Sequence, residues 1–135
     1  MTHPSGFEEA QAPAFELMQI AERGLPFSAL TSAAESLGLA EAVLGTRLMG
    51  KATYYRLKKR KDARLSEAQT ATVLRQMRVR AFANKVFKDE HRAERFMSKP
   101  HPMLDNITPL DASFSEFGAQ AVTELLGRGY CGVAV

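Results

Sequence analysis

The chain has 135 residues, of which 45% are hydrophobic and 24% charged, with one cysteine (Cys131) and no tryptophan. This composition excludes an internal disulfide framework and a cysteine metal cage, and no run approaches the ~20 apolar residues that cross a bilayer. Residues 1–11 lack the basic-then-apolar order of a secretory signal, so an intracellular, cytoplasmic protein is expected. The net charge of +3 averages over a segregated pattern. Residues 45–64 hold eight basic residues against Asp62 alone, a net +7, whereas residues 1–44 hold six glutamates against Arg23, a net −5. A centred basic block is the electrostatic footprint of a polyanion partner, with nucleic acid the commonest.

Residues 1–13, polar with two prolines, read as a flexible tail. Residues 14–23 favour a helix with Phe15 and Met18 on one face, stopped by Gly24 and Pro26. In residues 27–37, Leu30, Ala33, Ala34 and Leu37 follow i, i+3, i+4, i+7 spacing, and Gly38 closes the helix. Residues 39–48 form another apolar helix, in which Gly45 marks a close helix crossing. After Gly50, residues 51–61 (KATYYRLKKRK) read as a basic helix with Tyr54 and Leu57 inward.

Ser66 and Gln69 form a capping-box pattern that opens a long helix to about residue 87, with Leu74, Met77, Ala81, Phe82 and Val86 as its apolar stripe. Asp89 can cap a short helix that buries Ala93, Phe96 and Met97 and ends before Pro100. Residues 101–104 read as a loop. Thr108, with Pro109 behind it, begins another helix. Residues 115–126 place Ala119, Val122, Leu125 and Leu126 on one face, stopped by Gly127. No stretch alternates as a strand would. The expected fold is all-α with about seven helices: a small helix-turn-helix unit, then a second helical domain.

The segment 39–61, an apolar helix, a tight turn and a basic helix, has the form of a helix-turn-helix. In such a motif the second helix enters the major groove, where its outward side chains reach base edges and flanking cations meet phosphates. Thr53, Arg56 and Arg60 are expected on the side opposite Tyr54 and Leu57. Arg56 suits bidentate pairing with guanine, while Lys51, Lys59 and Lys61 suit phosphates. A solvated basic helix on an ordinary bundle accounts for the same pattern, and the two readings remain open at this point. His3, His91 and His101 have no metal-ligand spacing, and Asp105 and Asp111 read as turn and cap residues. No strand precedes a glycine-rich loop, and Cys131 reads as a plain thiol. Neither an enzyme nor a cofactor or metal site is expected. The apolar end, with Tyr130, Val133 and Val135, either folds back or inserts into a partner.

Residues 65–135 resemble the toxin-binding domain of Xre/MbcA/ParS-type antitoxins. The resemblance rests on LSEAQT at 65–70, AFANKVFKD at 81–89, ERFMSKPHPMLDNITPLD at 94–111 and FGAQAVTELLGRGYCGV at 117–133. Residues 24–64 are similar to the Xre-like helix-turn-helix that precedes this domain in the family. Phe96 stands where members often carry tryptophan, and Gly129-Tyr130-Cys131 where an aliphatic or glutamate pair is common. The resemblance implies a DNA-binding domain over residues 14–64 and a toxin-binding domain over residues 65–135. It further implies an antitoxin that blocks a RES-type NAD-consuming toxin, binds its own operator DNA and forms a homodimer. It places toxin contacts at the tail, on Tyr130, Gly132, Val133 and Val135.

Overall fold

The computed structural model describes residues 13–129; the tail expected over residues 1–12 and the tail contacts at Tyr130, Gly132, Val133 and Val135 lie outside the described residues. Among the described residues there are eight α-helices, a 3-10 turn and no strand, in keeping with the all-α reading. The chain divides into two compact units, residues 1–74 and 75–135, and the division falls within one long helix.

In the first unit, α1 (Ala14–Arg23) forms where its spacing predicts but buries none of its residues, and Phe15 is 65% exposed. The next helix, α2 (Ala29–Leu37), buries Leu30, Ala33, Ala34 and Leu37, the four residues its periodicity selects, and ends on Gly38. It packs against α3 (Glu41–Met49), which in turn packs on α4 (Lys51–Lys58). Gly50 is the sole residue between α3 and α4, and its φ of +88° and ψ of 154° suit glycine and almost no other residue.

The basic helix is shorter than its sequence suggests: it ends at Lys58 rather than at residue 61. No glycine or proline stops it. The chain must turn over residues 59–62 because the next segment pairs with the entry to α2. There Phe27 N donates to the Ala63 carbonyl (2.9 Å) and Leu65 N to the Leu25 carbonyl (2.8 Å). Leu25 N donates in turn to Thr70 Oγ1 (3.1 Å), and the Arg64 guanidinium donates to the Gly24 carbonyl (2.9 Å). The 61–66 segment is thus pinned by backbone bonds at buried Ala63 and Leu65, on either side of Arg64.

The long helix is α5 (Glu67–Phe87). Its capping box is reciprocal: Ser66 N donates to Gln69 Oε1 (2.8 Å) and Gln69 N to Ser66 Oγ (3.1 Å). The expected stripe is only partly correct. Leu74 and Met77 are buried, but Ala81, Phe82 and Val86 are only half-buried, while Val73, Val79, Arg80 and Ala83 are buried. Burial wraps round the helix, which weakens the one-sided periodicity from which a stripe is read.

In the second unit, Asp89 caps α6 (Glu90–Ser98) by accepting from His91 N (2.8 Å), and Ala93, Phe96 and Met97 are buried as expected. A 3-10 turn (Pro102–Leu104) follows, with the His101 side chain capping it through Met103 N. Thr108 caps α7 (Pro109–Ala112), accepting from Asp111 N (3.0 Å). Ser115 caps α8 (Glu116–Arg128), accepting from Gly118 N (3.0 Å), and Ala119, Val122, Leu125 and Leu126 are buried. This helix runs past Gly127 and is closed by Gly129 instead. A Cβ on Gly118 would sit 1.9 Å from the Ala112 carbonyl oxygen, so only glycine lets α8 approach the end of α7 this closely.

Candidate nucleic-acid interface

The pair α3–α4 is held by one aromatic side chain. Tyr54 is fully buried on α4, and Gly45 on α3 opens the space for its ring. A Cβ at residue 45 would lie 2.3 Å from Tyr54 Cδ1 and 3.2 Å from Leu30 Cδ2. The close crossing expected at Gly45 is therefore the seat of Tyr54.

The tyrosine hydroxyl donates to Glu41 Oε2 (2.6 Å). The other oxygen of the same carboxylate accepts from the Thr31 hydroxyl of α2. Lys58 Nζ stands 4.0 Å from Glu41 Oε2 and 5.5 Å from the centre of the Tyr54 ring. One carboxylate thus ties three helices. The bond from Thr31, then that from Tyr54, holds the Glu41 carboxyl below its ordinary value against a smaller opposing effect of burial. Burial first, and then the bond to Glu41, pushes the Tyr54 hydroxyl up to about 12. At neutral pH the pair is a carboxylate accepting from a neutral phenol, a charge-assisted bond.

With Tyr54 anchored inward, the solvent face of α4 is set. Lys51, Ala52, Tyr55, Arg56 and Lys58 are exposed; Thr53 and Leu57 are half-buried. Of the residues picked from sequence, Lys51 and Arg56 lie on the exposed face of the helix. Thr53 is half-buried at the margin of that face, between Arg56 and Leu57. Lys59 is the C-cap residue, and Arg60 and Lys61 lie beyond the helix end, all three exposed. The structure thus brings Lys51 and Arg56 together on one helix and places Lys59, Arg60 and Lys61 in the turn that follows it. Tyr55, which the sequence reading passed over, is 45% exposed. The signal for it was the pair Tyr54-Tyr55, since two adjacent residues on a helix are 100° apart and cannot both face inward.

In the second unit, cations and caps hold the chain together. The Arg80 side chain donates from Nε to Asn84 Oδ1 (3.0 Å) and from Nη2 to the Glu90 carbonyl (3.3 Å). Arg75 Nη1 donates to the Phe114 carbonyl (3.2 Å). Met103, Ile107 and Phe117 are its large exposed apolar side chains among the described residues. No three His, Cys, Asp or Glu residues among the described ones are grouped to hold a metal ion. None of the described helices is long and apolar enough to cross a membrane.

Comparison with known families bears on both units. The model of the antitoxin Xre-like helix-turn-helix domain matches residues 16–78. That of the antitoxin Xre/MbcA/ParS C-terminal toxin-binding domain matches residues 82–129. No curated protein matches the chain. Both families consist of binding and regulatory proteins rather than enzymes. The two matches leave only residues 79–81 uncovered between 16 and 129, and they occur in the order of a DNA-binding domain followed by a toxin-binding one. The chain belongs to the Xre/MbcA/ParS-type antitoxins.

Proposed function

We propose that this antitoxin neutralises a RES-type NAD-consuming toxin and represses its own operon, acting as a cytoplasmic homodimer. In this reading residues 14–64 read operator DNA, and residues 65–135 hold the toxin. The observation that carries it is the joint occurrence of the two family matches with an exposed basic face on α4. Lys51 and Arg56 supply that face, and Lys59, Arg60 and Lys61 extend it. Thr53, half-buried at its margin beside Arg56, completes the set of DNA contacts. The tail residues Tyr130, Gly132, Val133 and Val135 obstruct the toxin's active site.

Co-expression with the neighbouring reading frame tests the toxin half. Growth rescue, co-purification and protection of cellular NAD are the expected outcomes; rescue with NAD still depleted removes the RES-type assignment. Deleting residues 130–135 is expected to abolish rescue while leaving the helical content unchanged, because Gly129 N already closes α8 on the Leu125 and Leu126 carbonyls. Rescue by the truncated protein overturns the tail assignment. A band-shift with the DNA upstream of the chain's own reading frame tests the other half. Rescue without a shift leaves a toxin-binding module that no longer reads DNA, and a shift without rescue leaves a stand-alone regulator.

A further inference from the structure

At 100° per residue, the exposed residues of α4 follow one another round the helix in the order Lys58, Lys51, Tyr55, Ala52, Arg56. Tyr55 and Ala52 are therefore the middle of the face, and the cations are its edges. The Tyr55 ring meets the Tyr54 ring edge-on, with centroids 4.9 Å apart and planes at 73°. Tyr54 cannot yield, since it is fully buried and bonded to Glu41. Tyr55 thus rests against a fixed neighbour while staying 45% exposed.

An apolar strip between cations, on a helix whose neighbourhood carries a net +7, matches a polyanion with an apolar feature at its centre. The major groove has one such feature, the 5-methyl group of thymine, which alanine and aromatic side chains contact directly. We infer that Tyr55, with Ala52 beside it, reads thymine methyl groups in the major groove and is a specificity-determining residue of the antitoxin's DNA-binding domain. Lys51 and Arg56 flank it and supply the phosphate and guanine contacts. The inference rests on the DNA-binding reading above and adds to it a base class and a residue.

The test compares three duplexes by titration at two salt concentrations. One is the DNA upstream of the chain's own reading frame, the second is the same duplex made with deoxyuridine in place of thymidine, and the third is an unrelated duplex of equal length. Deoxyuridine lacks only the methyl group. The wild-type protein is expected to bind the deoxyuridine duplex more weakly by about fourfold for each methyl covered. Tyr55→Phe keeps the ring and retains this difference. Tyr55→Ala, which leaves only Ala52 on the strip, is expected to discriminate about fourfold less than the wild type for each methyl that the ring covered, with an unchanged salt slope because no cation is removed. Tyr55→Ala that discriminates as fully as the wild type overturns the inference, as does a wild type that prefers its upstream DNA yet ignores the methyl groups. Altered sedimentation of free Tyr55→Ala protein places the ring in a protein contact and also overturns it. A wild type that fails to distinguish upstream from unrelated DNA fails the DNA-binding reading itself, and the inference falls with it. Were Tyr55→Ala to misfold, Tyr55→Gln, which keeps a long side chain and removes the ring, takes its place in the same titrations with the same expected and overturning outcomes.

Discussion

The two units use their polar side chains in opposite ways. In the first, the cations of α4 and the turn after it point to solvent, and one buried tyrosine and one carboxylate hold that helix in place. In the second, the guanidinium groups of Arg75 and Arg80 bond to neighbouring backbone and amide groups, and Asp89, His101, Thr108 and Ser115 each cap a helical turn. A cation bonded to the chain's own carbonyls stabilises a loop, whereas one left in water is available to a phosphate. Within the +7 of residues 45–64, Arg64 is held by the Gly24 carbonyl and Lys58 stands beside Glu41, so the cations most open to a partner are Lys51, Arg56, Lys59, Arg60 and Lys61.

This contrast can be broken at its strongest point first. Tyr54→Ala is expected to cost about 3–5 kcal/mol, as for other large buried aromatics, and to abolish operator binding with it. Urea unfolding followed by circular dichroism, alongside a band-shift, checks both. Gly118→Ala drives a Cβ into the Ala112 carbonyl and is expected to cost about 1–3 kcal/mol; it should impair toxin capture while sparing DNA binding. Equal losses of both activities would show that the units do not act separately.

Smaller effects sharpen the comparison. Glu41→Gln weakens the tie between α2, α3 and α4 by about 1 kcal/mol at neutral pH. The carboxyl is held below its ordinary 4.5 in the folded protein, so its contribution is present above that value and is lost as pH falls through the lower folded one. The variant should show a flatter loss of stability on acidification. Tyr54 acts at the other end: its hydroxyl, raised to about 12 from 10.0, adds stability that declines as pH rises across that interval. Arg56→Ala with Lys59→Ala, both exposed, should leave the unfolding midpoint unchanged. It should weaken DNA binding and flatten the log–log salt slope by about 1, from the phosphate contact of Lys59. Thr108→Ala removes a cap in the second unit and is expected to lower stability by about 1 kcal/mol with DNA affinity untouched.

Much of the local structure was legible in the residues. The capping box at Ser66 and Gln69, the caps at Asp89 and Thr108, and the buried faces of α2, α6 and α8 all follow from short-range chemistry that any neighbouring fold would leave intact. The basic block was equally plain. The end of α4 was not, because no breaker residue stops it; the pairing of Ala63 and Leu65 with the segment before α2 does, across some forty residues of sequence. The stripe of α5 held only at Leu74 and Met77 for a related reason: burial on several sides leaves no single polar face to mark the register.

What the sequence determined by itself is the helical class, the positions of most caps and the place where positive charge gathers, since each depends on residues within a turn or two of one another. The inward side of α4 at Tyr54 was also legible; tertiary structure alone decided how that side is seated and where the helix ends. The seat is the space above Gly45, closed by the bond to Glu41, an arrangement of residues from two helices, and it leaves Thr53 half-buried and Tyr55 exposed.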